Sequence, residues 1–412
     1  MRFLLLIFFF PLIGFSQLTA DQEAQIDSLK EVIETAEHDT VIINAWMDWD
    51  NIIWISDPEL DFKLNKKIDS MCSSKLTGSL PEKEKNFFLK KKAFAYNSFG
   101  IIYKNQGNYA SAIDYYTRSL TIHEEIGDKR GIAMCLNNIG LILDDQGDHS
   151  RALDYHTQSL SIKEEIGDKK GIAASSNNIG LIYYYQGDYA NARDYCTYSL
   201  NIYEEIGHKR GIAMCLNSIG LICKDQGDSS ISAKNTALSA EMYTDAIDHY
   251  TRSLTILEEI GDKPGIALSL ISIGDIYYEQ GEALLESLQK DVLFGKAITY
   301  SRRALSVALE IGHTLRIKEA AEILYISYKA MGEHQMALQM HELYITMRDS
   351  ILSEENQKEV IRHQYKYEYE KQALADSVTH AKEAQIKDVM LDKKQAQLKS
   401  EQTQRYALYG GL

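Results

Sequence analysis

Residues 127–148 read GDKRGIAMCLNNIGLILDDQGD, and this stretch recurs along the chain. Its first seven letters return with few changes at Gly167, Gly207 and Gly261, at steps of 40, 40 and 54 residues. Self-similarity at a period of tens of residues is typical of proteins that stack one structural unit. The repeat therefore decides the fold class.

Each unit has the spacing of a helix hairpin. Apolar residues between 132 and 143 recur at steps of three and four, which places them on one face of an α-helix. Gly147-Asp148 ends this pattern, a second helical pattern covers 152–166, and Gly167-Asp168 ends that one. Glycine readily takes the left-handed conformation that ends helices. We therefore predict stacked hairpins of a helix A and a helix B.

A glycine in the middle of helix A recurs at one register, although Gly costs about 1 kcal/mol relative to Ala inside a helix. The repeated cost indicates that helix B approaches closely, and an alanine of helix B is the expected partner. The expected pairs are Gly140 with Ala152, Gly180 with Ala192, and Gly220 with Ala246.

The pattern resembles the tetratricopeptide repeat (TPR) family in its longer, 40-residue form, over about residues 81–350. The mid-helix glycines are Gly100, Gly140, Gly180, Gly220 and Gly274. The glycines assigned to the A–B turn are Gly107, Gly147, Gly187, Gly227, Gly281 and Gly332, and the helix-B alanines include Ala112, Ala297 and Ala337. The resemblance implies an all-α fold, a TPR α-solenoid formed as a right-handed superhelix of hairpins. It also implies peptide or protein binding in a concave groove lined by the A helices.

An amide row is predicted to line that groove. The asparagines are Asn97, Asn137, Asn177 and Asn217, three residues before each glycine, with Asn138 and Asn178 beside two of them. An amide donates and accepts, as an extended peptide backbone requires, and related grooves use Asn in this way. The alternative is that the row is duplicated scaffold that bonds neighbouring helices to one another.

A second row, four residues past each glycine, suits recognition of a protein more than of a small ligand. Its members are Lys104, Asp144, Tyr184, Lys224 and Tyr278, and all except Asp144 are predicted groove residues.

The sequence gives no sign of catalysis, metal binding or a cofactor, so the chain is not expected to be an enzyme. It lacks the HExxH, GxGxxG, GxxxxGK[ST] and GxSxG motifs. With 59 acidic and 44 basic residues the net charge is −15, which argues against nucleic-acid binding. The carboxylate pairs, such as Glu164-Glu165, recur with the repeat and are interpreted as solvated helix ends.

The N-terminal segment indicates export. Residues 1–16 have the layout of a secretory signal peptide cleaved after Ser16, with an uncleaved anchor as the alternative. We therefore expect an exported, periplasmic protein. Residues 17–80 are predicted to form N-terminal helices with a degenerate first repeat, whose tryptophans Trp46, Trp49 and Trp54 cap the array rather than bind a ligand.

Two units are interrupted, near 228–241 and 282–292, in the A–B turn. The insertions are expected to lengthen helices or form loops, and the alternative is a partner-binding edge. The five cysteines are interpreted as apolar fillers between helices, with one disulfide, for example Cys215 with Cys223, as the alternative.

Residues 351–405 are predicted to form a long charged helix, either the coiled coil of a homodimer or a single helix. Residues 406–412 are interpreted as the start of a truncated transmembrane segment, against a frayed tail. The whole layout resembles membrane receptors of the Bacteroidetes, whose outputs are a histidine kinase, a nucleotide cyclase or a PPM-type phosphatase. We therefore expect a sensory, protein-interaction module of an inner-membrane protein; the alternative is a free periplasmic scaffold or assembly factor.

Overall fold

A computed structural model describes residues 18–54, 56–232, 235–284 and 287–353, and within these residues all regular structure is helical. The helices are α1 Ala20–Thr35, α2 Asp39–Ile53, α3 Pro58–Leu76, α4 Glu82–Asn105, α5 Tyr109–Glu125, α6 Lys129–Asp145, α7 His149–Glu165, α8 Lys169–Tyr185, α9 Tyr189–Glu205, α10 Lys209–Ser232, α11 Thr236–Ile260, α12 Lys263–Ala283, α13 Ser287–Glu310 and α14 Thr314–Ala330. A further helix, α15, covers 334–353. The predicted all-α fold is confirmed.

The helices pack in consecutive pairs. The hairpins are α4–α5, α6–α7, α8–α9, α10–α11 and α12–α13, and each B helix also packs against the next A helix. Neighbouring A helices touch directly from α8 to α10, from α10 to α12 and from α12 to α14. The chain is thus an α-solenoid, as the repeat predicts.

The turns follow local chemistry. Gly147, between α6 and α7, and Gly167, after α7, have φ of +78° and +68°, a conformation that strains residues with a side chain. The next residue then caps the following helix, since Asp168 Oδ1 accepts the backbone N–H of Gly171 at 3.0 Å. Turn and cap together set where each helix begins.

A buried serine joins the two helices of four hairpins. Its hydroxyl donates to a backbone carbonyl of helix A, at 2.6–2.9 Å. The pairs are Ser119 with Ala93, Ser159 with Ala133, Ser199 with Ala173, and Ser253 with Ala213. Because Ser and carbonyl recur at fixed positions, the bond fixes the register of helix B on helix A.

The mid-helix glycines make room for a larger side chain than the expected alanine. In each hairpin the nearest side chain stands four positions after that alanine, and those residues are Tyr116, His156, Cys196, Tyr250 and Ser301. The alanine is still close at Gly180, where a Cβ would lie 3.1 Å from the carbonyl oxygen of Ala192. The expected close approach is present, but its main partner was misidentified.

The two insertions lengthen helices. Helices α10 and α11 have 24 and 25 residues, against 17 in each of α6 to α9. Gly227 and Gly281 therefore lie inside α10 and α12, packed against Tyr243 and Phe294. Their assignment as turn glycines was wrong, because the inserted residues continue helix A, by about two turns in α10 and by about one turn in α12.

The N-terminal helices cover the first end of the array. Trp46 and Trp49 pack against buried residues of α2 and α3, whereas Trp54 is 47% exposed. All five cysteines are buried and free, so the alternative disulfide is absent. The predicted signal peptide, most of the 351–405 helix and the 406–412 segment lie outside the described residues. Among those described, none of the helices has the length and apolarity needed to span a membrane.

Candidate functional site

One face of the A helices is left uncovered by the B helices, and we call it the groove. Met134 and Met214, at equivalent positions of α6 and α10, are 38% and 40% exposed on this face. Residues three and four positions apart are neighbours on a helix surface, so Met134 lies beside Asn137 and Asn138. Four residues of the predicted amide row are half-buried on this open, partly apolar face, whereas Asn97 and Asn177 are buried.

The amide row forms hydrogen bonds between neighbouring A helices. Asn138 Nδ2 donates to Asn97 Oδ1 at 2.9 Å, and Asn178 Nδ2 donates to Asn137 Oδ1 at 3.4 Å. Further along, Ser269 donates to Asn217 Oδ1 at 3.1 Å. The hydrogen bonds between neighbouring helices, which were the alternative role of the amide row, are therefore present in the molecule.

These bonds leave part of each amide unused. Each Asn–Asn bond uses the oxygen of one side chain and the nitrogen of the other. The NH₂ groups of Asn97 and Asn137 therefore stay unused among the described contacts. The side-chain oxygens of Asn138 and Asn178 stay unused in the same way. Asn177 is 2% exposed, and its buried Oδ1 has no partner among the described residues. Capture of a peptide by this row stays a prediction, and the unused donors and acceptors are compatible with it.

The second row is linked from helix to helix as well. Lys104 pairs with Asp145 at 3.1 Å, and the Tyr184 hydroxyl donates to Asp225 at 2.6 Å. Of the remaining members, Asp144 contacts His149 at 2.8 Å, and Tyr278 packs against Phe294 with ring centroids 5.6 Å apart.

Lys224 occupies an acidic part of the groove. Its ammonium lies 2.9 Å from Asp228 and 3.2 Å from Asp275, and these carboxylates hold its pKa above the usual value despite burial. Burial also raises the pKa of Glu279, and the charge of Asp275 adds to the rise. Carboxylates therefore outnumber cations where α10 meets α12.

A cavity of about 230 Å³ opens at the first end of the groove, between α2, α3 and α4. Its lining consists of Asp50, Asn51, Trp54, Asp61, Phe94, Asn97, Ser98 and Ile101. Sequence reasoning missed this cavity, because Asp50 and Asp61 belong to a degenerate unit that no other unit repeats. The only signal available was Asn97, which joins the cavity to the amide row.

Metal ligands are not clustered in the parts of the chain that the structure describes, where no group of three or more His, Cys, Asp or Glu side chains is placed to hold an ion. Paired carboxylates such as Glu164-Glu165 lie at helix ends, where Glu165 forms an exposed ion pair with Lys129 of the same hairpin. Exposed pairs of this kind contribute little to stability.

Comparison with known proteins agrees with this geometry. The tetratricopeptide repeat model matches residues 92–165 and 171–234. None of the curated proteins matches the sequence.

Among solved structures, aspartyl phosphate phosphatase F from Bacillus subtilis is 16% identical, with a TM-score of 0.50 over 80% of this chain and 81% of that one. A Rap protein complexed with competence and sporulation factor is 12% identical, with a TM-score of 0.49 over 81% of this chain and 99% of that one. The apo form of RapI is 17% identical, with a TM-score of 0.47 over 81% of this chain and 99% of that one. At such identities the likeness concerns the fold alone.

Proposed function

Because the chain contains tetratricopeptide repeats, we propose that it binds an extended peptide, or an extended segment of a protein, in the groove. The observation that carries this proposal is the amide row, with unused donors and acceptors on successive A helices. A peptide backbone offers a donor and an acceptor at every residue, so it can pair with such a row along its length.

The apolar residues beside the row complete the proposed site. Met134 and Met214 would contact two well-separated side chains of the bound segment, while the acidic part near Lys224 would set its orientation. Methionine suits this role because its unbranched, polarisable side chain adapts to different partners. Repeats of this kind are typically non-catalytic, and we propose binding without catalysis.

The test replaces Asn137, Asn177 and Asn217 together by alanine. Peptides selected from a random library on the wild-type protein are expected to bind this variant at least about tenfold more weakly, since each lost hydrogen bond contributes about 1 kcal/mol. Fluorescence anisotropy with the labelled peptides measures the affinity, and circular dichroism checks that the helix content is unchanged.

The matched control is Asn201→Ala, which removes an exposed amide from the B helix α9. This variant should bind the selected peptides as the wild type does. Unchanged affinity in the triple variant, or an equal loss in Asn201→Ala, would show that the amide row does not bind the peptide.

We further propose that the protein is exported and serves as the sensory region of a membrane signal-transduction protein. The support is the apolar N-terminal segment and the resemblance of the whole layout. Fusions to alkaline phosphatase, which is active only after export, should be active when residues 1–16 are present and inactive when they are removed. Activity without that segment would contradict export by a signal peptide.

A free periplasmic scaffold is the second candidate, and it shares the export prediction. Membrane fractionation of the natural full-length product separates the two. Recovery in the inner membrane after a high-salt wash supports the receptor, and full release with the periplasmic fraction supports the scaffold.

A further inference from the structure

We propose that the cavity between α2, α3 and α4 binds an ammonium or guanidinium group, carried by a basic side chain of the peptide in the groove. The proposal rests on the proposed function only for the molecule that carries the cation.

Two buried carboxyl groups meet in the wall of the cavity. Asp50 of α2 and Asp61 of α3 are 3% and 4% exposed, and both line the cavity. Asn65 donates to each of them, at 2.7 Å to Asp50 Oδ1 and 2.6 Å to Asp61 Oδ1. Within the described residues, neither carboxyl group forms an ion pair with a Lys or Arg. The pair thus lacks the cation that buried carboxylates normally have.

The two groups cannot both ionise freely. Burial raises the pKa of Asp50 to about 9, and the adjacent Asp61 adds to the rise. Burial raises the pKa of Asp61 as well. Asp50 therefore keeps its proton at neutral pH, and full ionisation of both groups is opposed, as it is for neighbouring carboxyl groups that repel each other.

One polar side chain of the lining points to a missing ligand, independently of the acids. Asn97 is 7% exposed and lines the cavity, where the described contacts give its NH₂ group no acceptor. The polar atoms of a side chain this deeply buried normally have partners, so Asn97 indicates an acceptor that the site lacks.

The rest of the lining suits an organic cation. Trp54 is exposed although it is large and apolar, and with Phe94 it gives the cavity an aromatic wall. The faces of aromatic rings attract ammonium and guanidinium groups. A basic side chain would place its charge against the acid pair and its methylene groups against Trp54.

The cavity also continues the amide row, because Asn97 belongs to both. A peptide with its basic side chain in the cavity would have a backbone carbonyl near the Asn97 NH₂ group. We infer that the cavity anchors one end of the peptide and fixes its register along the groove.

Isothermal titration calorimetry with Nα-acetyl-arginine amide tests the site, and the neutral analogue Nα-acetyl-citrulline amide tests the need for charge. The arginine derivative is expected to bind and to release up to one proton at neutral pH, because the bound cation favours the ionised form of Asp50. Titrations in two buffers of different ionisation enthalpy measure that release. The citrulline derivative should not bind.

Asp50→Asn should remove the proton release and weaken binding of the arginine derivative by at least about tenfold. Trp54→Leu changes an exposed side chain, so it should weaken binding several-fold while leaving the fold intact. The matched control is Asp48→Asn, which removes an exposed carboxylate of α2 that does not line the cavity.

Equal binding of both derivatives, no binding of the arginine derivative, or an equal loss in Asp48→Asn would overturn the cation site. If the selected groove peptides lack basic residues and bind Trp54→Leu as tightly as the wild type, the anchor is overturned. The proposed function would stay in place. If the arginine derivative binds but the Asn137, Asn177 and Asn217 variant still binds its peptides as the wild type does, the cation site stands and the proposed function is overturned.

Discussion

Replacing Gly100 by alanine is expected to destabilise the array by roughly 1–3 kcal/mol, the usual cost of overpacking a core. A Cβ at this position would lie 2.5 Å from Cδ1 of Tyr116, far inside van der Waals contact. Tyr116 is fully buried, so its ring has little room to move. This cost exceeds the gain of about 1 kcal/mol that alanine brings to a helix interior.

The matched control is Gly295→Ala. Gly295 lies inside α13, and a Cβ there would meet nothing within 4 Å. The same substitution should therefore stabilise the protein by up to about 1 kcal/mol. Urea unfolding followed by circular dichroism measures both changes. If Gly100→Ala stabilised the protein as Gly295→Ala does, close helix approach would not explain the repeated glycine.

Acidification is expected to cost roughly 3 kcal/mol of stability through His156 alone, since each pKa unit corresponds to about 1.4 kcal/mol. His156 of α7 is fully buried against Gly140, and both ring nitrogens lack partners among the described residues. Burial lowers its pKa from 6.5 to about 4, and the positive charge of Lys163 contributes. The ring is therefore neutral in the folded protein.

The direction of the pH effect follows from these two values. The unfolded chain takes up a proton near pH 6.5, whereas the folded protein does so only near pH 4. The contribution of His156 to stability is thus complete above pH 6.5, falls as the pH decreases, and stays constant below pH 4. Urea unfolding at a series of pH values measures this change.

His156→Cys is the control, because Cys196 holds the equivalent position in the next hairpin, against Gly180. The variant should lose less stability than the wild type between pH 6.5 and pH 4, by roughly the 3 kcal/mol that His156 contributes. Parallel pH curves for the two proteins would mean that His156 titrates normally and is more accessible than its burial indicates.

The hairpins could be predicted because their signals are local. Apolar spacing gives the extent of α6 and α7, and the φ of +78° at Gly147 is a property that one residue supplies. The position of the amide row was also predictable, since an exact repeat places equivalent residues on the same face of successive helices. Its bonding pattern was not, because Asn97 meets Asn138 rather than the equivalent Asn137.

The sequence alone thus determined the helical repeat, the A–B hairpin and the face that carries the amides, since these follow from spacing and from the backbone preferences of single residues. Only the tertiary structure decided that Tyr116 rather than Ala112 fills the space at Gly100, and that Gly227 lies within a helix. The same holds for Asp50 and Asp61, which the packing of α2 on α3 buries together. An aspartate looks alike in sequence whether it is solvated or buried, because the neighbours that remove its water come from other helices.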